Sequence, residues 1–351
     1  MSELLWSPSP ARIAAEPITA FMEAAETVGG PAAGAGYAAL HRWSVEAPEA
    51  FWSLLWDFAG VRASERGTVI LEDGERFPGA RWFPGAQLNY AENLLRRDDD
   101  RTAVIGLLED GRRRTLTHGE LFNEVSRLAA ALRDAGVRAG DRVAGFMPNL
   151  PETLVAMLAT ASIGAVWSSC SPDFGVNGVL DRFGQIAPKV LFAADGYLYN
   201  GKRCDSLERL APSARRSTVS SHRRGAAARD RSGHRADGLR RASTARRLVD
   251  GTPPLAFAQL PFDHPLFIMY SSGTTGVPKC IVHGAGGTLL QHLKEHRAAG
   301  GPRPGDVFFY FTTCGWMMWN WLVRGWPAAP RCCSTTARPS PPRANAPRCD
   351  R

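Results

Sequence analysis

The sequence predicts an α/β protein built of mostly parallel sheets flanked by helices. Three observations carry that expectation. Residues 101–210 alternate short apolar runs with stretches of helical period in the order β-α-β-α-β, an arrangement that requires crossover connections. Two strand-like runs, Phe267–Tyr270 and Cys280–His283, bracket a turn of small and hydroxylated residues. Apolar residues make up 44% and charged residues 22% of the 351, the balance of a soluble globular chain long enough for two or three domains.

Residues 1–95 are rich in tryptophan (Trp6, Trp43, Trp52, Trp56, Trp82). Within them Pro48–Phe58 predicts an amphipathic helix with Phe51, Leu54, Leu55 and Phe58 on one side. Ala103–Leu108 then reads as a strand and Gly111–Arg113 as a turn. Thr117 can cap a helix whose apolar positions Leu121, Val125, Leu128, Ala129 and Leu132 recur at three and four. Gly136 and Gly140–Asp141 close it, and Arg142–Met147 is the next strand. Pro151 starts a helix where its missing N–H costs nothing, running through Leu154, Met157, Leu158 and Ala161. Gly164 ends it; Ala165–Ser169 and Lys189–Ala193 are further strands. Beyond the second bracketing strand, Thr288–His296 reads as a short helix with Leu289, Leu290 and Leu293 inward, and Asp306–Phe311 as a strand.

Two segments break this grammar. Residues 211–250 hold eleven arginines against three aspartates, and residues 324–351 hold six against one. Together they account for the net charge of +8 and leave the rest of the chain net acidic. The first has almost no large apolar residue and cannot offset its ordering entropy by burial. The second carries six prolines in 28 residues, which argues against a regular helix or central strand. Both are expected to be irregular, over 211–248 and 324–351. An Arg-rich arm for RNA would need interleaved aromatics, which are missing, so no nucleic-acid partner is expected. No apolar run reaches about 18 residues, so no membrane span is expected. The N-terminus lacks a basic start and apolar core, so no signal peptide is expected. Seven cysteines without C-x-x-C spacing suit a reduced, cytoplasmic protein with no structural zinc.

The bracketed turn, Tyr270–Lys279, reads Y-S-S-G-T-T-G-V-P-K. Glycines let a ligand approach the backbone, and exposed N–H groups and hydroxyls can wrap an anion. Each hydrogen bond to a charged group is worth about 1.5–3 kcal/mol, so three or four would hold a polyphosphate. Lys279 adds a mobile positive charge. The Walker A pattern is excluded: aligned on Gly273, it would need glycine at position 278 and a hydroxyl residue at 280, where Pro278 and Cys280 stand.

All ten positions fit the phosphate-loop pattern [YF]-[ST]-[ST]-G-[ST]-T-G-x-P-K, so the turn resembles that of the acyl-adenylate-forming (AMP-binding) superfamily of acyl-CoA synthetases, luciferases and adenylation domains. Ala80–Leu95 (A-R-W-F-P-G-A-Q-L-N-Y-A-E-N-L-L) resembles the N-terminal extension of short-chain acyl-CoA synthetases, and the block Asp141–Gly175 resembles their scaffold. Phe311–Asn320 (F-T-T-C-G-W-M-M-W-N) is similar to the next signature in the form carried by acetoacetate–CoA ligases.

The resemblance implies an incomplete N-terminal domain of an acyl-adenylate-forming enzyme. Residues 1–95 would be the extension, 96–323 a partial AMP-binding domain, 324–351 a tail, with the C-terminal lid absent. It implies that acetoacetate and ATP give acetoacetyl-AMP, which coenzyme A then converts to acetoacetyl-CoA, with Mg²⁺ offsetting the phosphate charge; acetate or propionate is the alternative acid. Ser271, Ser272, Gly273, Thr274, Thr275, Gly276 and Lys279 would bind the phosphates, with Thr275 also a Mg²⁺ contact. Thr312, Gly315 and Trp316 would border the acyl and nucleotide pocket. Trp319 would wall a small flat acyl group or serve as a core aromatic. The adenine segment, the ribose-binding aspartate and the catalytic lysine would lie past residue 323, so no catalytic residue is assigned and little ligase activity is expected of this chain alone. A non-catalytic nucleotide- or RNA-binding protein is the reading from another class. The breaks at 211–248 and after 323 are expected to reflect shifted reading frames in a GC-rich gene.

Overall fold

The computed structural model describes residues 5–96, 98–199, 201–206, 218–222, 253–271, 276–300, 302–303, 305–325 and 331–335. The N-terminal helices are α1 (Pro10–Ala14), α2 (Pro17–Thr27), α3 (Gly36–Glu46) and α4 (Pro48–Phe58). Proline opens α1, α2 and α4, where its lost N–H has no helical partner to forfeit. The predicted span of α4 is the observed one. Its buried side is Phe51, Leu55 and Trp56, while Leu54 and Phe58 are half-buried against the same cluster. Phe21 meets Phe51 and Phe58 edge-on at 5.5 and 5.1 Å, the geometry ring quadrupoles favour.

Short strands β1 (Ala63–Glu65), β2 (Leu71–Glu72), β3 (Arg81–Trp82) and β4 (Gln87–Leu88) lead to helix α5 (Tyr90–Leu94). After it come β5 (Thr102–Leu107), β6 (Arg113–Thr117), α6 (His118–Asp134), β7 (Arg142–Phe146), α7 (Pro151–Ser162), β8 (Val166–Cys170), α8 (Val176–Ile186) and β9 (Val190–Ala194). A small hairpin, β10 (Gly196–Tyr199) with β11 (Lys202–Asp205), precedes β12 (Thr218–His222), β13 (Leu260–Pro261), β14 (Pro265–Tyr270) and β15 (Cys280–Gly284). Helix α9 (Ala285–Leu293), β16 (Val307–Phe309), α10 (Met317–Gly325) and β17 (Arg331–Thr335) close the described chain.

Among the described residues the main sheet runs β12-β9-β7-β8-β14-β15, parallel except for β15, which turns back at the edge. Its faces alternate as the two-residue period requires. Val143, Trp167, Phe192 and Phe267 join the core that holds α6 and α7; Ala144, Phe146, Val166, Leu191 and Ile268 meet Val179, Phe183 and Ile186 of α8. Gly145 permits one close approach: a Cβ there would fall 2.6 Å from the Trp167 ring. Thr117 caps α6 in a capping box with Glu120, as its position predicts. A second sheet, β16-β17-β5-β6, is tied to the helices by Arg114 of β6, which pairs with Glu124 of α6 and Glu152 of α7.

Several expectations are corrected. The reading of 211–248 and 324–351 as irregular misses β12, which pairs in parallel with β9, and β17, which lies between β16 and β5. Composition over forty residues hides a five-residue β-compatible window, and Arg331–Thr335 (R-C-C-S-T) holds none of the tail's prolines. The tail's nominal start at 324 also falls inside α10. The turn at Gly111–Arg113 already contains the first residue of β6. The expected helix Thr288–His296 begins earlier, at Ala285, and passes after Leu293 into a π-helical turn, Lys294–Ala298.

The Asn89 side chain ties the N-terminal part to the main sheet. Its Oδ1 accepts from the N–H groups of Ala91 and Glu92, capping α5, while its Nδ2 donates to the carbonyls of Ala161, Ser162 and Ala258. Asn89→Ala therefore removes a cap and strips a donor from buried carbonyls. We expect an unfolding free energy lower by about 2–4 kcal/mol, measured by urea denaturation.

Candidate nucleotide and acyl site

Strand β14 leaves the sheet at Tyr270 and enters the small-residue turn. The turn is closed at its base by two bonds: Ser271 N–H donates to Lys279 O (3.0 Å), and Lys279 N–H donates to Ser271 Oγ (3.3 Å). Gly276 adopts φ 97°, a conformation that favours glycine. From α8, Gln185 Nε2 donates to Pro278 O at 2.8 Å, fixing the descending limb. Val277 and Lys279 are exposed. Ser272, Gly273, Thr274 and Thr275, and with them the expected phosphate and Mg²⁺ contacts, lie outside the described residues. The bracketing strands stand where the sequence puts them, paired antiparallel from Tyr270–Cys280 to Pro265–Gly284.

A small cavity lies along parallel strands β8 and β14, the second of which runs on into the turn. Trp167, Ser168 and Ser169 line it from β8; Phe267, Ile268 and Met269 line it from β14. The segment Cys314, Gly315 and Trp316, with Asn320 of α10, completes it. Ser168 Oγ donates to Ile268 O (2.8 Å) and lies 3.0 Å from the Tyr270 hydroxyl. Ser169 Oγ donates to Cys314 O (2.6 Å) and accepts from Trp167 Nε1 (3.2 Å).

The predicted pocket residues divide. Gly315 and Trp316 line the cavity, and Trp316 is 61% exposed at its rim. Trp319 is 1% exposed, donates from Nε1 to Asn149 Oδ1 (2.9 Å), and is a core aromatic that seats α10. Thr312 is buried beside it, its carbonyl accepting from Asn149 Nδ2 at 3.4 Å. Sequence reasoning passed over Ser168, Ser169 and Asn320. A polar side chain just after a run of tryptophan and methionine was the available signal for Asn320.

Burial pushes the Cys170 thiol up to about 12 and the Cys314 thiol and Tyr270 phenol higher still. Near the turn the Arg182 guanidinium lies 4.3 Å from the Phe174 ring centre and 5.7 Å from that of Tyr270, a cation supported by two aromatic faces. Among the described residues no group of three His, Cys, Asp or Glu side chains is placed to hold a metal, and no helix is long and apolar enough to cross a membrane.

A mostly parallel α/β sheet with a strand that runs into a glycine- and hydroxyl-rich turn is an architecture common among nucleotide-binding proteins. The model of the AMP-binding enzyme family matches residues 91–331, and that of the acetyl-coenzyme A synthetase N-terminus matches residues 37–94. This chain belongs to the AMP-binding enzyme family. It is 52% identical over 316 residues to an acetoacetyl-coenzyme A synthetase of Rhizobium meliloti (strain 1021), spanning 89% of this chain and 48% of the relative. It is 41% identical over 304 residues to the malonamoyl-CoA synthetase vrtB of Penicillium aethiopicum, over 82% of this chain and 42% of the relative. The solved acetoacetyl-CoA synthetase from Streptomyces lividans superimposes with a TM-score of 0.86 at 43% identity, covering 96% of this chain and 52% of that one. The chain thus spans about half the length of the curated relatives it matches.

The buried thiols give a pH signature. Between the ordinary thiol value near 9 and about 12, the folded state keeps the Cys170 proton that the unfolded chain releases. Stability is therefore full below pH 9 and falls as pH rises through that window. Cys170→Ala should make the fall shallower, read as melting temperature against pH, with Cys314 sustaining the remainder.

Proposed function

We propose that this chain is the ATP- and acid-binding part of an acetoacetate–CoA ligase. The observation that carries the reading is the continuity of β14: one strand supplies the cavity wall through Phe267, Ile268 and Met269 and then becomes the phosphate turn. An acid in the cavity and the phosphates of ATP on the turn would stand side by side. The names of the relatives support the choice of acid, because acetoacetyl and malonamoyl groups both carry a carbonyl on the third carbon. Acetate and propionate lack it.

The chemistry follows from the weakness of a carboxylate as an electrophile. A carboxylate oxygen of acetoacetate attacks the α-phosphorus of ATP, the bond to the bridging oxygen breaks, and pyrophosphate leaves. The thiol of coenzyme A then attacks the acyl carbon, AMP departs with the electrons of the C–O bond, and the thiol proton passes to solvent. The turn would act by position and charge, its sequence offering hydroxyls and its exposed Lys279 a positive charge to the β- and γ-phosphates. The acyl group would lie against Trp167, Phe267, Ile268 and Met269 of the cavity wall. Magnesium fits as the counter-ion carried in with the polyphosphate, since Mg²⁺ binds by phosphates and few protein ligands. A cytoplasmic setting suits Cys170, Cys204, Cys280 and Cys314, all of them free thiols.

Titration calorimetry with Mg·ATP tests the reading. We expect Lys279→Ala to weaken binding about tenfold without lowering the melting temperature, because Lys279 is exposed and its loss removes one charge-assisted contact. Acetoacetate should bind more tightly than acetate or propionate in the presence of Mg·ATP. No binding of Mg·ATP by the unsubstituted chain at millimolar concentration would overturn the assignment.

A further inference from the structure

Among the described residues, the side chains of Ser168, Ser169 and Asn320 are the hydroxyl and amide groups that line the cavity, and the two serines are occupied within the fold. Ser168 is spent on Ile268 O and the Tyr270 hydroxyl, and Ser169 on Cys314 O and the Trp167 indole. Asn320 differs. It is 4% exposed, its Nδ2 donates only to the thioether of Met269 (3.2 Å), and its Oδ1 has no hydrogen-bond partner among the described residues. A thioether sulfur is a weak acceptor, so most of the amide's hydrogen-bonding capacity is unmet. Burying an unmet amide is costly, and interiors rarely leave one so. The backbone that carries it is held firmly, because α10 is seated by Trp319, Leu322 and Val323, all buried.

We propose that Asn320 is a specificity-determining residue, its amide N–H donating to the carbonyl oxygen on the third carbon of a short 3-oxo acid. This rests on the acid-binding reading above and narrows its substrate class. The terminal torsion of asparagine is soft and roughly two-fold, so the amide can turn either its N–H or its oxygen to the cavity. The remaining oxygen can accept from a water or from an amide-bearing acid. Trp167, Phe267, Ile268, Met269 and Trp316 offer apolar or aromatic surface to the carbon chain. A pocket built to hydrogen-bond a ligand group rejects the analogue lacking it far more strongly than an apolar pocket rejects a missing methylene.

The test compares acetoacetate with butyrate, which has the same carbon count and no oxygen on the third carbon. Affinities are measured by calorimetry for the full chain with Mg·ATP present. The unsubstituted chain should prefer acetoacetate by at least about tenfold. Asn320→Leu, close in volume, should bring the two acids within about threefold while leaving Mg·ATP affinity unchanged. The acid series on the unsubstituted chain needs no variant to fold, so it stands as an independent measurement. Equal affinity for both acids in the unsubstituted chain, or a preference that survives in folded Asn320→Leu, overturns the role of Asn320 and leaves the acid-binding reading standing. Binding of Mg·ATP with neither acid overturns both.

Discussion

One carboxamide, that of Asn89, decides where the site lies. It bonds at once to its own helix start, to the end of α7 and to Ala258, just ahead of β13 and β14. Ala258 N–H in turn donates to Ser162 O, and His264 Nε2 is paired with Gly164 O at 2.8 Å. The chain therefore reaches Pro265 with its register already set. The parallel pairing of Phe267 with Trp167 and the placement of the turn follow from that anchor. All members of this network are satisfied, the condition under which buried polar groups specify a single arrangement.

Two kinds of precision meet at the end of β14. On the turn side the requirement is exposure: small residues, a positive φ at Gly276 and an accessible Lys279. On the cavity side it is fixed packing: the buried Cys314 thiol, serines tied to backbone carbonyls, and an indole seated on Gly145. An anion needs donors that solvent can reach, whereas an acyl chain needs a wall of fixed shape. Placing both on consecutive residues of one strand keeps them in register without a further linker.

Much of this was legible from residue order. Pro48, Thr117 and Pro151 mark helix starts because capping and lost N–H groups are local physics, and the structure begins α4, α6 and α7 there. The flanks of the turn were legible because short apolar runs, Phe267–Tyr270 and Cys280–Val282, beside a stretch of small residues have few alternatives. Strands β12 and β17 were not, because their hydrogen bonds come from neighbouring strands rather than from their own composition. The division between Trp316 and Trp319 was equally hidden: both lie in one motif, and only the helix that starts at Met317 turns one to the rim and the other to Asn149. Asn320 escaped notice for a related reason, since an unmet amide is visible only once its neighbours are in place.

The strand order also has a consequence for synthesis. Strands β7, β8 and β9 are contiguous in sequence and adjacent in the sheet, so they can associate as soon as they leave the ribosome. The hairpin of β14 and β15 arrives later and must dock onto an edge of β8 that has meanwhile stood open. Vectorial assembly thus delivers the parallel scaffold first and the ligand-gripping turn last, and a nascent chain that stalls before Pro265 lacks Leu266, Phe267, Leu289 and Leu290 of the main core as well as the site.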